Sequence, residues 1–250
     1  MNNIYRLALV GTSLGHSISP WIHYDIMDKL GIEGTYELIE INRANFDNGF
    51  FRLLQGDYNG LNITLPYKTE AMKFMDSLSP EAERIGAINT VKIQNGITKG
   101  YNTDYHGFFS LLNKNGISLK DKNICILGTG GAAKAVVTIL KDSDVSNITI
   151  ISRGKKEFLG ISAMNYEQFS TNNDPFYCII NCTPVGMFPR TGSSPINDST
   201  FINGEILIDL IYNPEETLLM SYAKKRGLNT VNGLDMLKFQ AEKAWSIWKE

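Results

Sequence analysis

The segment that most constrains the fold of this chain is one in which an apolar run meets a cluster of glycines. Ile124–Leu127 is typical of a buried strand, and Gly128, Gly130 and Gly131 follow it. The alanine-rich stretch 132–140 then predicts a helix. Gly128 permits a tight turn, Gly130 lets the backbone approach a pyrophosphate, and the start of the helix offers free N–H groups to an anion. This order of strand, glycine turn and helix favours a dinucleotide-binding site.

Composition excludes several classes of protein. The chain has 250 residues, enough for one large domain or two modest ones, and its 43% hydrophobic and 20% charged residues are typical of a globular protein. The net charge of −2 gives no electrostatic reason to expect nucleic acid or an anionic membrane as a partner. We expect no signal peptide, and no apolar run approaches the roughly 20 residues of a membrane span. The three cysteines, Cys125, Cys178 and Cys182, are expected to be reduced residues of a cytoplasmic protein.

Apolar runs alternate with helical patterns along the first half of the chain. We predict strands over residues 5–10, 36–41 and 60–65 and a helix over residues 45–55. Ser19 and Pro20 predict the start of another helix, with Ser19 as its N-cap, and Gly31 predicts its end. Asn95-Gly96 lies between two strand-like runs and predicts a hairpin. The first half should therefore contain a mostly parallel sheet with an antiparallel edge.

The second half continues the same alternation. We predict strands over residues 147–151, 177–181 and 205–210 and a helix over residues 234–248. The loops 182–187 and 211–214 follow two of these strands, at the end of an open α/β sheet where ligands bind. Apolar residues recur at helical spacing through the last helix, and they indicate a core-facing stripe more than a binding surface. Gln240 lies beside this stripe, where it could reach a partner or a cleft.

Residues that suit acid–base chemistry follow one strand of the first half. Asn62 and Thr64 alternate along that strand and therefore share one face. Pro66 predicts the start of a helix, which would place Lys68 in its first turn, where the helix dipole favours a neutral amine. Such a lysine suits proton transfer better than a structural role. Asp104 ends a polar turn before a predicted helix, and either a catalytic role or a role at the helix start would explain it.

The residues after the strand 147–151 distinguish between two cofactors. An NAD site uses Asp or Glu about 20 residues beyond the glycines to bind the ribose hydroxyls. Ser152 and Arg153 stand at that position instead, and Lys155 and Lys156 follow them. A guanidinium pairs with a 2′-phosphate and cannot replace the carboxylate, so the sequence favours NADP. A solvated basic loop is the alternative.

Metal and nucleophile chemistry find little support in the sequence. The three histidines, His16, His23 and His106, lack metal-ligand spacing, and Cys178 and Cys182 fit no standard zinc pattern. No Gly-x-Ser-x-Gly elbow is present. We therefore assign no metal.

Several longer motifs resemble those of the shikimate dehydrogenase family, and they occur in the family's order. Besides the glycine loop they are Gly15-His-Ser-Ile-Ser-Pro20 with His23, Asn62-Ile-Thr-Leu-Pro-Tyr-Lys68, Gly86-Ala-Ile-Asn-Thr90, Gly100-Tyr-Asn-Thr-Asp104, Asn181-Cys-Thr-Pro-Val-Gly-Met187, Asp209-Leu-Ile-Tyr-Asn-Pro214 and Gly233-Leu-Asp-Met-Leu-Lys-Phe-Gln-Ala241. The resemblance covers essentially the whole chain. Several of these motifs are far more specific than the glycine pattern alone.

The resemblance implies an NADP-dependent, reversible reduction of 3-dehydroshikimate to shikimate in aromatic amino-acid precursor synthesis. It implies an α/β protein of two domains. Residues 1–103 and 232–250 would form a substrate-binding domain with a mixed sheet, and residues 104–231 a Rossmann-type, doubly wound NADP-binding domain. The expected partner is a small-molecule substrate, and the expected assembly is a monomer or a homodimer.

Carried over position by position, the motifs also imply roles for individual residues. Lys68 and Asp104 would be the catalytic pair, with Asp104 also touching the substrate. The further substrate ligands would be Ser17, Ser19 and Tyr212 for the carboxylate and Asn62, Thr64, Asn89 and Gln240 for the hydroxyls. On the cofactor side, Gly128, Thr129, Gly130, Gly131 and Ala132 would take the pyrophosphate, Ser152 and Arg153 the 2′-phosphate, and Leu210 and Gly233 would lie near the nicotinamide.

The sequence departs from the family pattern at two places. Ser152-Arg153-Gly154 stands where the family commonly has Asn-Arg-Thr, so the phosphate clamp loses an amide and a hydroxyl, and selectivity for NADP should be weaker. Thr12-Ser13-Leu14 replaces the usual Gly-Asn-Pro-type approach to the first motif. Two alternatives stay open: a quinate/shikimate enzyme that uses NAD as well, and a non-catalytic ligand-binding module. The pairing of Lys68 with Asp104 argues against the module, since binding alone needs no paired acid and base.

Overall fold

The structure is a computed structural model that describes residues 4–171, 175–200 and 204–250. It contains two compact units. The first comprises the chain up to Gly107 together with Lys238–Glu250, and the second comprises Phe108–Leu237. Each unit has its own β-sheet and helices, which confirms the predicted α/β class.

The first unit is built on a mixed sheet. Its strands are β1 (Tyr5–Gly11), β2 (Gly34–Glu40), β3 (Gly60–Ile63), β4 (Ser77–Leu78), β5 (Thr90–Gln94) and β6 (Ile97–Tyr101), in the spatial order β2-β1-β3-β5-β6-β4. β1 pairs in parallel with β2 and β3, whereas β5 is antiparallel to both β3 and β6. The predicted hairpin is confirmed: Asn95 and Gly96 link β5 to β6 with φ angles of 53° and 75°, the positive values that a tight hairpin turn requires.

Four helices begin in the first part of the chain, at positions that local sequence signals explain. They are α1 (Ser19–Leu30), α2 (Phe46–Leu54), α3 (Pro80–Ile85) and α4 (Thr103–Lys114), with short 3-10 segments at Arg43–Asn45 and Glu70–Phe74. Gly31 ends α1 with a left-handed φ of 63°, as predicted. The predicted N-cap is wrong by one residue, because Ser19 already lies inside the helix and Ile18 precedes it. The hydroxyl of Ser17 instead accepts the backbone N–H of Ser19 at 3.2 Å.

The two faces of the first sheet carry separate apolar clusters. Ala8 and Val10 of β1 pack with the aromatic residues of α2, whereas Leu7 and Leu9, which alternate with them, pack with Trp245 and Trp248. These tryptophans belong to helix α8 (Leu234–Lys249), whose predicted apolar stripe is buried at Ala241, Ala244, Trp245 and Trp248. The prediction that the stripe is core is therefore confirmed for this part of the helix.

The second unit contains a sheet that is parallel except at one edge. Its strands are β7 (Asn123–Leu127), β8 (Asn147–Ile151), β9 (Glu157–Phe158), β10 (Ile161–Met164), β11 (Phe176–Asn181), β12 (Gly204–Asp209) and β13 (Asn229–Asn232), in the spatial order β13-β12-β11-β7-β8-β10-β9. The helices are α5 (Gly131–Asp142), α6 (Tyr166–Ser170) and α7 (Leu218–Lys225), with a 3-10 segment at Asp198–Thr200. The chain leaves β7 toward β8 on one side and returns to β11 on the other. In open α/β sheets such a reversal creates a crevice at the carboxyl ends of the two strands.

Cysteines occupy the interior of this second sheet. Cys125 on β7 and Cys178 on β11 are fully buried, and burial raises the pKa of both thiols. Cys182 follows β11 and is half-buried, and none of the three cysteines forms a disulfide. Within the described ranges, no helix combines the length and the apolar character needed to cross a membrane.

Candidate functional site

A buried ion pair lies at the centre of the polar residues of the first unit. The Lys68 ammonium Nζ is 2.6 Å from Oδ2 of Asp104, and only 12% of the lysine side chain and 6% of the aspartate side chain are exposed. Lys68 follows β3, and Asp104 lies in the first turn of α4. The fold thus brings into contact the two residues that the family resemblance predicts as the catalytic pair.

The local structure around Lys68 differs from the prediction. Pro66 does not start a helix, and Lys68 lies in a turn before the 3-10 segment Glu70–Phe74. The carbonyl of Lys68 accepts the N–H of Ile88 at 2.7 Å, so it is not part of a helical hydrogen-bond ladder. Tyr67 is buried and donates its hydroxyl to the carbonyl of Ile41 at 2.6 Å. These contacts outside the segment override the proline signal, so Lys68 does not lie in the first turn of a helix as predicted.

Asn89 connects the ion pair to Gln240. Its side-chain N–H groups donate to Oδ1 of Asp104 at 2.9 Å and to the Gln240 side-chain oxygen at 3.0 Å. Its own oxygen accepts the backbone N–H of Thr103 at 2.7 Å, and the Thr103 hydroxyl donates to Gln240 at 3.1 Å. Lys68, Asp104, Asn89 and Gln240 therefore form one hydrogen-bonded cluster. Thr103 was not predicted as a site residue, although it directly precedes Asp104 in the motif Gly100-Tyr-Asn-Thr-Asp104.

Asn62 is fixed beside this cluster. It is buried, and its amide donates to the carbonyl of Asn89 and to the hydroxyl of Thr90, both at 3.1 Å. Its oxygen accepts the hydroxyl of Tyr36 at 2.8 Å. Tyr36 and Thr90 were not predicted as site residues. Tyr36 lies on β2 and reaches Asn62 on β3 across the intervening strand β1. Because this contact joins distant segments, no local sequence pattern predicts it.

Three further predicted residues of the first unit lie outside the hydrogen-bonded cluster. Ser17 donates its hydroxyl to Ser19 at 3.1 Å, so these two side chains form a pair near the start of α1. Thr64 lies one residue past β3, and its backbone N–H still donates to Val10 at 3.0 Å. Its methyl group packs against Gly11, where an added Cβ would approach within 2.7 Å.

The glycine loop of the second unit connects β7 to α5. Gly128 has a φ of 98°, and a Cβ there would meet the methyl carbon of Thr183 at 2.8 Å. Gly130 precedes the helix without a side-chain cap, and a Cβ there would meet nothing within 4 Å. Open space thus lies at the first N–H groups of a 12-residue helix, with Thr129, Gly131 and Ala132 half-buried around it. This geometry fits an anionic pyrophosphate.

The residues after β8 present positive charge. Ser152 is buried, and its hydroxyl accepts the backbone N–H groups of Gly154 and Lys155 at 3.4 and 3.2 Å, which shapes the turn. Arg153 and Lys155 are exposed. The pKa of Lys134, in the first turns of α5, is lowered mainly by burial and further by the charge of Lys155. Cations from two segments are therefore close enough to interact, which fits a bound phosphate.

The two residues predicted near the nicotinamide contact each other. A Cβ on Gly233 would approach the carbonyl oxygen of Leu210 within 2.0 Å, so only glycine allows this contact. Gly233 also donates its N–H to the carbonyl of Ile211 at 3.1 Å. Tyr212 lies in the same loop after β12 and is half-buried.

Across the described ranges, no three His, Cys, Asp or Glu side chains are close enough together to hold a metal ion.

Comparison with known proteins identifies the family. Residues 9–91 match the family profile described as the shikimate dehydrogenase substrate binding domain. The chain is 39% identical over 247 residues to a shikimate dehydrogenase (NADP(+)) of Clostridium beijerinckii, and the match covers 97% of this chain and 91% of that protein. The chain belongs to the shikimate dehydrogenase family.

Solved structures of the shikimate dehydrogenase family share the fold over nearly the whole chain. The crystal structure of shikimate dehydrogenase 1 from Peptoclostridium difficile matches with a TM-score of 0.93 at 40% identity, covering 98% of this chain and 92% of that one. The enzyme from Thermus thermophilus, solved in complex with NADP(H) and shikimate, matches with a TM-score of 0.86 at 33% identity, covering 98% of this chain and 93% of that one. Members of the family are oxidoreductases.

Proposed function

We propose that this chain is an oxidoreductase that reversibly reduces 3-dehydroshikimate to shikimate with NADPH, in the pathway to chorismate and the aromatic amino acids. The observation that carries the proposal is the buried pair of Lys68 and Asp104, hydrogen-bonded to Asn89 and Gln240 in a member of this family. A ligand-binding module has no need for such a pair, because binding alone transfers no proton.

The proton chemistry follows from the geometry of the pair. Reduction of a ketone leaves negative charge on its oxygen, and that oxygen must collect a proton; oxidation of the alcohol must remove one. Lys68 donates this proton from Nζ in one direction and accepts it in the other. Asp104 holds Nζ at 2.6 Å through one oxygen, while Asn89 holds the other oxygen at 2.9 Å. The carboxylate therefore keeps one orientation, and Lys68 keeps its position through the cycle.

Hydroxyl and amide side chains of the first unit suit an anionic polyol. We assign the substrate hydroxyls to Asn62, Thr64, Asn89 and Gln240, and the carboxylate to the hydroxyl pair of Ser17 and Ser19. Asn89 and Asn62 have fixed orientations because backbone and side-chain partners hold them. A site built to hydrogen-bond hydroxyls rejects analogues that lack them, since its own polar groups would then stay unpaired.

NADP fits the second unit. The open space at Gly130 and the uncapped start of α5 support a pyrophosphate site formed by residues 128–132. Ser152 and Arg153 would bind the 2′-phosphate, and Leu210 and Gly233 would line the nicotinamide end. The cofactor supplies the hydride when bound. We accordingly propose residues 1–103 with 232–250 as the substrate-binding domain and residues 104–231 as the NADP-binding domain, in a cytoplasmic monomer or homodimer.

A spectrophotometric assay tests the function directly. Shikimate and quinate are each offered with NADP+ and with NAD+, and absorbance of the reduced nicotinamide is followed. We expect shikimate with NADP+ to be the best of the four pairs. Turnover of quinate at a similar rate would favour the quinate/shikimate alternative. No turnover of any pair by folded protein would overturn the catalytic proposal.

A further inference from the structure

A fully buried carboxylate in the second unit takes no part in the chemistry proposed above. Asp209 ends β12 and has no solvent exposure. It accepts three hydrogen bonds: from the hydroxyl of Thr217 at 2.6 Å, from the amide of Asn181 at 2.9 Å and from the backbone N–H of Ile211 at 3.1 Å. Asn181 ends β11, whereas Ile211 and Thr217 lie in the loop between β12 and α7. Asp209 is thus the common acceptor of two segments at the carboxyl ends of neighbouring strands.

One of these bonds leads to the glycine loop. Asn181 ends β11 and uses its oxygen to accept both the backbone N–H and the hydroxyl of Thr183, at 3.0 and 2.7 Å. This fixes the Thr183 side chain, whose methyl carbon lies 2.8 Å from the position of a Cβ on Gly128. Asp209 therefore reaches the glycine loop through two intervening side chains, and the Thr183 methyl bounds the space beside Gly128.

The other two bonds hold the loop after β12 and the helix that follows it. The N–H of Ile211 is bound by Asp209, and its carbonyl accepts the N–H of Gly233. Thr217 is the N-cap of α7, and its hydroxyl accepts the N–H of Met220 at 3.2 Å while donating to Asp209. The same carboxylate thus supports the contact between Leu210 and Gly233 and the start of α7.

Stability of the fold does not explain the presence of this group. The three donors that face the carboxylate are neutral: an amide, a hydroxyl and a backbone N–H. Burial raises the pKa of Asp209 to about 6, although the three hydrogen bonds pull it down. A carboxyl with a raised pKa destabilises the folded chain once it ionises. A role in shaping the ligand site accounts for such a residue better than a role in folding does.

We propose that Asp209 is a positioning residue of the cofactor site, which fixes the loops after β11 and β12 against the glycine loop. The inference rests on the proposed function, since the ligand it concerns is NADP. Without the carboxylate, three buried donors lose their acceptor, and the Thr183 and Ile211 segments are free to shift. Loss of a group that orients the ligating residues costs metal sites about 10- to 100-fold in affinity, and we expect a loss of the same order here.

Calorimetric titration of the purified proteins with NADP+ tests the proposal without using turnover. We expect Asp209→Ala to raise the dissociation constant for NADP+ about tenfold or more. Asp209→Asn should recover most of the affinity, because its oxygen can still accept from Asn181 and Ile211 while its amide donates to Thr217. Leu228→Ala is the matched control: it removes buried apolar volume from the core of the second unit near the start of β12, whereas Asp209 ends that strand. This control should lower Tm and leave NADP+ affinity unchanged.

The outcomes separate the two proposals. If wild-type protein does not bind NADP+, the proposed function fails. If wild-type protein binds and Asp209→Ala binds as tightly as Leu228→Ala, the positioning role is wrong. Should Asp209→Ala fail to fold, Thr183→Val replaces it, because that change keeps a methyl group and removes the hydroxyl bound to Asn181. Hydrogen exchange should rise in residues 182–187 for Thr183→Val and not for Leu228→Ala. An unchanged dissociation constant of Thr183→Val for NADP+ would overturn the proposal.

Discussion

Lys68 is the residue on which the proposed proton transfer depends. Lys68→Ala removes the group that carries the proton, while Asn89 and Gln240 remain hydrogen-bonded to each other. We therefore expect turnover of shikimate with NADP+ to fall by roughly 10²–10⁴-fold. The dissociation constant for shikimate should change far less, because the hydroxyl and amide ligands stay in place. Steady-state kinetics and a binding titration measure the two effects separately.

Lys73 provides the matched control for Lys68. It belongs to the same unit, its side chain is 50% exposed, and it pairs with Asp47 at the surface. Lys73→Ala should therefore turn over shikimate at the wild-type rate. Near-normal turnover by Lys68→Ala would show that another group transfers the proton. Thermal unfolding of both variants distinguishes lost chemistry from lost folding, since Lys68→Ala leaves Asp104 buried without its cation.

Arg153 carries the prediction of cofactor preference. Hydrogen bonds between charged groups contribute about 1.5–3 kcal/mol, so Arg153→Gln should raise KM for NADP+ by about 10- to 100-fold. KM for NAD+ should stay the same, because NAD+ has no 2′-phosphate. Arg190→Gln, at another exposed arginine of the same unit, should change neither constant. Parallel losses with both cofactors would refute the role assigned to Arg153.

At the scale of elements, the glycine loop allows stability and binding to be separated. Gly128→Ala places a Cβ at a φ of 98° and against Thr183, so it should lower the free energy of unfolding by about 1–2 kcal/mol or more. Gly130→Ala meets no atom within 4 Å, and its φ of −82° suits any residue. It should change Tm little, yet its methyl group enters the space proposed for the pyrophosphate and should weaken NADP+ binding. Thermal unfolding and calorimetric titration measure the two effects. Undiminished NADP+ affinity in Gly130→Ala would place the pyrophosphate elsewhere.

Elements with a local sequence signal could be predicted, and those that depend on distant contacts could not. The strand and helix around the glycine loop, the Asn95-Gly96 hairpin and the helix α8 all follow from periodicity or turn chemistry. The helix predicted from Pro66 is absent, because the carbonyl of Lys68 pairs with Ile88 in a distant segment. β13 was missed, since its sequence Asn-Thr-Val-Asn lacks an apolar run and its pairing with β12 defines it.

The same division applies to the candidate site. Asn62, Lys68, Asn89, Asp104 and Gln240 lie in motifs, and the fold brings them together in the first unit. Their supporting groups were not predictable, because those contacts join segments without a shared pattern. The hydroxyl of Tyr36 on Asn62 and the carboxylate of Asp209 on Asn181 are examples.

At the scale of the whole molecule, one buried titratable group in each unit links stability to pH. His23 of the first unit stacks on Tyr36 with ring centroids 4.0 Å apart, and its Nδ1 has no hydrogen-bond partner in the described part of the chain. Burial lowers the pKa of His23 to about 3. In the unfolded chain this histidine takes up a proton below about pH 6.5, whereas in the folded chain it stays neutral down to about pH 3. The first unit therefore loses stability as pH falls from about 6.5 to about 3.

Asp209 of the second unit has the opposite effect in an overlapping range of pH. Its pKa in the folded chain is raised to about 6, above the ordinary value of 3.8. The folded state therefore binds a proton more tightly than the unfolded state does. The second unit gains stability as pH falls from about 6 to 3.8. Between about pH 7 and pH 4.5, each group contributes roughly 2–3 kcal/mol, with opposite signs.

Two variants test these opposite contributions. His23→Phe keeps an aromatic ring against Tyr36 and removes the titration, so its free energy of unfolding should fall less on acidification than that of wild type. Asp209→Asn removes a group that gains stability in acid, so its free energy of unfolding should fall more. All three tryptophans, Trp21, Trp245 and Trp248, lie in the first unit, so their fluorescence follows that unit during urea unfolding. Circular dichroism follows both units. If the free energy of unfolding depends on pH in the same way for both variants and wild type, neither group controls acid stability. If it falls less steeply in acid for His23→Phe and more steeply for Asp209→Asn than for wild type, the acid sensitivity belongs to the first unit through His23.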